Sequence, residues 1–103
     1  MIRVSVLYPN KPGTHFDMDY YCTKHIPMLR GLLGAALLHV AVDEGIGGAA
    51  PGSAAPFLAL GHLSFESVEA FQKAFTPHIA QIQGDVPKYT DSQPTIQISN
   101  VKI

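Results

Sequence analysis

Two kinds of apolar spacing alternate along this chain in a fixed order, and that order restricts the fold more than any single residue does. Residues 2–8 alternate with period two, placing Ile2, Val4, Val6 and Tyr8 on one face of a strand. Pro9-Asn10-Lys11-Pro12-Gly13 ends it as a turn cluster. Tyr20/Tyr21, Lys24/His25, Met28/Leu29 and Leu32/Leu33 then recur at helical spacing up to Gly34, a helix terminator. Residues 35–43 alternate again, as do 57–65, with the Gly-, Ala- and Pro-rich stretch 44–56 between them read as a flexible connection. Val68, Phe71 and Phe75 return to helical spacing, Thr76-Pro77 breaks or kinks that helix, and Ile79 and Ile82 continue its apolar stripe. Residues 84–94 carry loop signals and 95–102 form a last strand.

The order is β-α-β-β-α-β. It predicts an α+β, ferredoxin-like fold: a four-stranded antiparallel sheet with both helices on one face, as one domain over 1–103. The other sheet face carries part of the apolar alternation, and a chain of about 100 residues cannot bury both. Pairing two sheets face to face covers it, so a homodimer is expected.

Composition narrows the function. Hydrophobic residues make up 47% and charged residues 15%, which fits a packed core rather than a disordered chain. A net charge of −1 without a basic run gives no footprint for nucleic acid. No apolar stretch approaches the roughly 20 residues of a membrane span. The start of the chain lacks a signal-peptide pattern, and the one cysteine, Cys22, rules out an internal disulfide, so a cytoplasmic location is expected. No CxxC or HExxH pattern marks a metal site, and no His pair has haem- or metal-ligand spacing. Gly45–Gly52 leads into proline and a strand rather than a helix, so no phosphate cradle is read there. No cofactor is expected, and no Ser-centred nucleophile elbow is present.

The chemistry concentrates in Tyr20-Tyr21-Cys22-Thr23-Lys24-His25-Ile26-Pro27. Asp17, Tyr21 and His25 are spaced i, i+4, i+8, which aligns them on one helix face. A carboxylate and a phenol there can fix the imidazole's tautomer, leaving it to act as general acid or base near neutral pH. The structural alternative is that Asp17 caps the helix, with Phe16 as its staple, and that His25 satisfies a carbonyl freed by Pro27. The second helix repeats the pairing of a proline with a histidine at Pro77-His78. Tyr20 and His78 are therefore candidate substrate-binding residues beside the candidate catalytic set His25, Tyr21 and Asp17. His39 and His62 lie on strands and read as edge or surface residues. Lys24 reads as a snorkelling side chain and Cys22 as inert. Asp85 and Tyr89, in the loop after the second helix, read as pocket cover or, with more weight, as dimer-interface residues.

Three segments carry a family resemblance: Val4-Ser5-Val6-Leu7-Tyr8-Pro9-Asn10, then Phe16-Asp17-x-x-Tyr20-Tyr21-x-x-Lys24-His25-x-Pro27, and finally Asp85-Val86-Pro87-Lys88-Tyr89-Thr90-Asp91 with Phe65–Phe71 ahead of it. Together they resemble the EthD family, named for a protein of ethyl tert-butyl ether degradation. The resemblance implies a dimeric α+β barrel. It also suggests a compact hydrophobic or aromatic ligand, met either by a cofactor-free oxidoreductase, monooxygenase, isomerase or cyclase, or by a non-catalytic accessory protein of a degradation pathway. Cys22 and the small-residue-rich 44–56 stretch depart from the family's usual pattern without touching its main motif.

Overall fold

Period-two alternation yields four strands in the computed structural model, which describes residues 1–103: β1 (Ile2–Pro9), β2 (His39–Glu44), β3 (Phe57–Phe65) and β4 (Thr95–Asn100). They form one antiparallel sheet in the order β2-β3-β1-β4. The first crossover is a continuous helical rod made of α1 (Met18–Tyr20), a π-helical turn (Tyr21–His25) and α2 (Ile26–Leu33). The second comprises α3 (Val68–Phe75), a 3-10 turn (Thr76–His78), α4 (Ile79–Asp85) and another 3-10 turn (Val86–Lys88). Element order and sheet agree with the α+β, ferredoxin-like expectation.

Register gathers the apolar positions on one face. Ile2 pairs with Phe65, Val4 with Leu63, Val6 with Gly61 and Tyr8 with Ala59, while Val40 and Ile98 extend the Val4–Leu63 row to both edges. Helical residues Ile26, Leu29, Leu33 and Ile82 pack onto that face, and Phe65 and Ala59 are fully buried beneath them. Side chains alternate across a strand, so Ser5, Leu7, Leu60 and His62 fall on the opposite face. There His62 Nδ1 lies 3.1 Å from Ser5 Oγ, and its Nε2 lies 3.3 Å from an Asp43 oxygen. No helix is long and apolar enough to cross a membrane.

Strand ends differ from the periodicity in two places. Gly34, with φ +59°, ends α2 in a conformation costly for other residues, and Gly34–Ala36 form a 3-10 turn where alternation suggests the strand begins. Pairing starts only when Leu38 N–H donates to Ser64 C=O, so β2 begins at His39. At the other end β4 stops at Asn100, although Val101 N–H still donates to Met1 C=O. The stretch between β2 and β3 is tied back on itself rather than free: Gly45 N–H donates to Leu58 C=O, Gly48 N–H to Ser53 C=O, and Asn10 Nδ2 to Ala55 C=O.

Candidate functional site

Pro27 has no N–H and cannot bond to a carbonyl in the preceding turn, so the helix adjusts around it. It does so by widening. Ile26 N–H reaches back five residues to Tyr21 C=O, and Tyr21–His25 form a single π turn just before the proline. Such turns are rare and recur at functional sites. Here the turn sends Tyr21 and His25 inward, with their rings stacked at 5.5 Å and 15°, while Cys22, Thr23 and Lys24 remain exposed.

His25 is 3% exposed and engaged at both ring nitrogens. Its Nδ1 lies 2.8 Å from Asp85 Oδ2, and its Nε2 faces Tyr89 Oη across a long 3.5 Å contact. Tyr20 Oη donates to the other Asp85 oxygen at 2.9 Å, and Lys88 Nζ lies 3.8 Å from that oxygen. Tyr89 Oη and Tyr8 Oη are 2.7 Å apart. A carboxylate only accepts, so the imidazole hydrogen sits on Nδ1 and the lone pair on Nε2.

Position comes from the two segments that flank the site. Asp85 is the last residue of α4, and the Val86–Lys88 turn carries the chain around to Tyr89. Residues 89–92 are stitched to the chain ahead of α1. Asp17 N–H donates to Tyr89 C=O at 2.7 Å, Thr90 Oγ1 to His15 C=O at 2.6 Å, and Ser92 Oγ to Pro9 C=O at 2.8 Å. Tyr8, Phe16, Tyr21 and Tyr89 then lock together through ring contacts of 4.9 to 5.9 Å. Gly61 makes room for this cluster: a Cβ there would lie 2.5 Å from Tyr21 Oη.

Burial pushes the His25 imidazole below its ordinary pKa, outweighing the hydrogen bond and charge of Asp85, which pull the other way. For Asp85, burial acts upward, but the hydrogen bonds from His25 and Tyr20, with the nearby His25 and Lys88 charges, hold it below the usual carboxylate range. Neutral imidazole beside ionised carboxylate is therefore the state of the pair near pH 7. Burial likewise raises the phenols of Tyr8, Tyr21 and Tyr89, which keeps them protonated.

In front of His25 lies a cavity of about 130 Å³ between sheet and helices. Val6 and Leu63 line it from the sheet, Leu29 from α2, and Phe71, Phe75 and Ile82 from the second crossover. Its polar lining consists of Tyr8, Tyr21, His25 and Gln83, with no Lys, Arg, Asp or Glu. An apolar cavity of about 150 Å³ is enough to hold benzene, so this space suits a single ring. No group of three His, Cys, Asp or Glu residues is arranged to hold a metal ion.

Tyr21 and His25 thus meet at the cavity wall. Tyr20 stands behind it, coupled through Asp85, while Asp17 caps α1 by accepting from Tyr20 N–H at 3.0 Å. His78 sits in the turn between α3 and α4, half-buried, and is not on the cavity wall. The acid that orients His25 is Asp85, which the spacing within the first helix does not reveal. Its sequence signal is modest: Asp85 ends an apolar helical stripe, and Tyr89 follows four residues later across Pro87.

A sequence model for one family, described as the EthD domain, matches residues 14–93. An EthD-like protein from Ralstonia eutropha is 40% identical over 99% of this chain and 92% of its own, with a TM-score of 0.95. An ethyl tert-butyl ether degradation (EthD) family protein from Bacillus halodurans is 21% identical over 98% of both chains, with a TM-score of 0.73. At the level of fold alone, a Dabb family protein with a ferredoxin-like fold from Mesorhizobium loti is similar, with 12% identity over 97% of this chain and 95% of its own and a TM-score of 0.58. No functionally curated protein matches the chain.

Proposed function

Because this chain belongs to the EthD family, we propose that it is a homodimer that binds a compact aromatic or otherwise hydrophobic molecule beside His25 and performs cofactor-free acid/base chemistry on it. The observation that carries this reading is the 2.8 Å pairing of a buried imidazole with Asp85 at the wall of an apolar cavity. An ion-paired, hydrogen-bonded carboxylate fixes the tautomer and stabilises the imidazolium that forms when Nε2 takes a proton. The proton comes from a weakly acidic C–H next to a carbonyl, or from a phenolic O–H. Returning it to a different atom gives isomerisation or cyclisation. If dioxygen combines with the resulting carbanion instead, a hydroperoxide forms at that carbon, and loss of water leaves a carbonyl there, so one oxygen atom enters the product and the other departs as water. Tyr21 and Tyr8 line the same cavity and are held protonated, and in this reading a phenol donates to the oxygen on which charge collects.

Solvent-deuterium incorporation next to the carbonyl of acetophenone, followed by NMR, tests the acid/base step. Wild type is expected to accelerate exchange, and His25→Ala to lose that acceleration by a factor on the order of 10² or more. Equal exchange by the two proteins would remove His25 from the chemistry. The contact between Nε2 and Tyr89 favours a second reading, in which the unliganded imidazole serves its own network and the protein is a non-catalytic accessory binder. Ring binding without any exchange is the result that supports it.

A further inference from the structure

Outside the cavity, α4 and the segment entering β4 enclose a second, more open recess of about 380 Å³. Gln83, Val86, Pro94 and Ile96 line both spaces, so the two meet at one mouth. Their chemistry differs. The inner space is apolar apart from the phenols, His25 and Gln83, whereas the outer recess adds Pro87 and Gln93 and presents two carboxamides with no charged group. Both glutamines are exposed, and Ile96 at the mouth leaves 55% of its surface uncovered.

We propose that this recess is the second half of the binding site and holds an uncharged, hydrogen-bonding tail (amide, carbonyl or hydroxyl) on a ligand whose single ring fills the cavity. The inference rests on the reading that the cavity binds a ring beside His25. A carboxamide offers both a donor and an acceptor, which suits a neutral amide or hydroxyl and gives no counter-charge to a carboxylate. A carboxylate tail would give up water for a recess whose lining holds no cation. Pro87, Pro94 and Ile96 supply apolar contact for the carbons that join tail to ring. Bound in this way, the ligand also covers the exposed face of Ile96.

Three probes of one scaffold separate the possibilities: toluene, phenylacetamide and phenylacetate, titrated near neutral pH while the His25 ring resonances are followed by NMR. Phenylacetamide is expected to bind about tenfold more tightly than phenylacetate, and Gln93→Leu to weaken the amide about fivefold more than it weakens toluene. Phenylacetate binding as tightly as the amide would overturn the proposal. So would Gln93→Leu weakening amide and toluene equally. If toluene shifts His25 while the amide gains nothing over it, the recess falls and the cavity reading stands. If toluene leaves His25 unmoved, the cavity reading falls and takes the recess with it. Gln83→Leu provides a second variant at the mouth, expected to act on the amide in the same direction as Gln93→Leu.

Discussion

An imidazole removed from water is more stable neutral than charged, and His25 is held in that condition while its Nδ1 hydrogen points at a carboxylate. Both members of the pair therefore make acid unfavourable to the fold. With the pKa of His25 depressed on folding, the unfolded chain binds that proton more readily, and stability falls as pH drops below about 6.5. Asp85, also depressed, adds a second loss at lower pH, beginning below its ordinary value of 3.8. Melting temperature measured from pH 8 to pH 4 should decline through the first window in the wild type and much less in His25→Gln. A wild-type profile that is flat through that window would contradict the depressed imidazole. Asp85→Asn removes the influence that raises the pKa of His25, so NMR should find the imidazole titrating lower still, with deuterium exchange slowed on the order of 10²-fold. At this scale the sequence was half legible. Tyr21 and His25 stood out because they sit together in one segment, but Asp85 lies 60 residues from His25 and only the fold joins them. Asp17 shares the helix with His25, yet its carboxylate is occupied by the N–H of Tyr20.

Among the elements, apolar periodicity identified all four strands and both helical crossovers. β1, β3 and the helices each turn one face to a single core, whereas the alternating Ile96 and Ile98 of the edge strand β4 stay largely exposed. The π turn was not legible in that pattern. It differs from an α turn by one residue of backbone bonding, and no side-chain periodicity marks so small a change. Pro27 announced a disturbance without saying whether the helix would bend, break or widen. The onset of β2 was hidden for a related reason: small residues at 34–36 satisfy either a strand or a tight turn, and the positive φ of Gly34 decides for the turn. If the widened turn is what brings Tyr21 and His25 to one wall, removing it should separate them without unfolding the helix. Deleting Thr23 shortens the turn by one residue, and Pro27→Ala supplies the N–H that a regular α-helix then needs. The buried residues of α2 anchor His25, so the rotation falls on Tyr20 and Tyr21. This double variant should keep its far-ultraviolet circular dichroism while losing toluene affinity about tenfold or more. Unchanged affinity would show that the cavity does not depend on the turn.

Taken whole, the molecule is a slab measuring 41 × 32 × 19 Å, with its helices on one side of the sheet. Its surface of 6328 Å² exceeds the roughly 5,700 Å² expected for a compact monomer of this mass. The radius of gyration, 14.0 Å, likewise exceeds the value of about 13 Å typical of a chain this long. Both departures are in the direction that the proposed homodimer predicts for its single subunit. The uncovered sheet face offers a place for one, because Leu7 and Leu60 pair across β1 and β3 there and are only half buried. A second copy related by a twofold axis would set these leucines against their equivalents, while the Ser5, His62 and Asp43 group would sit within a more polar part of the same contact. The proposed homodimer predicts a sedimentation mass of twice 11.1 kDa at micromolar concentration. Leu60→Arg, which places two like charges close to the axis, should return the protein to a single-chain mass. The cavity beside His25 opens on the far side of the sheet, so toluene should still shift the His25 resonances in that variant. A wild type that sediments as one chain would remove the dimer from the proposal.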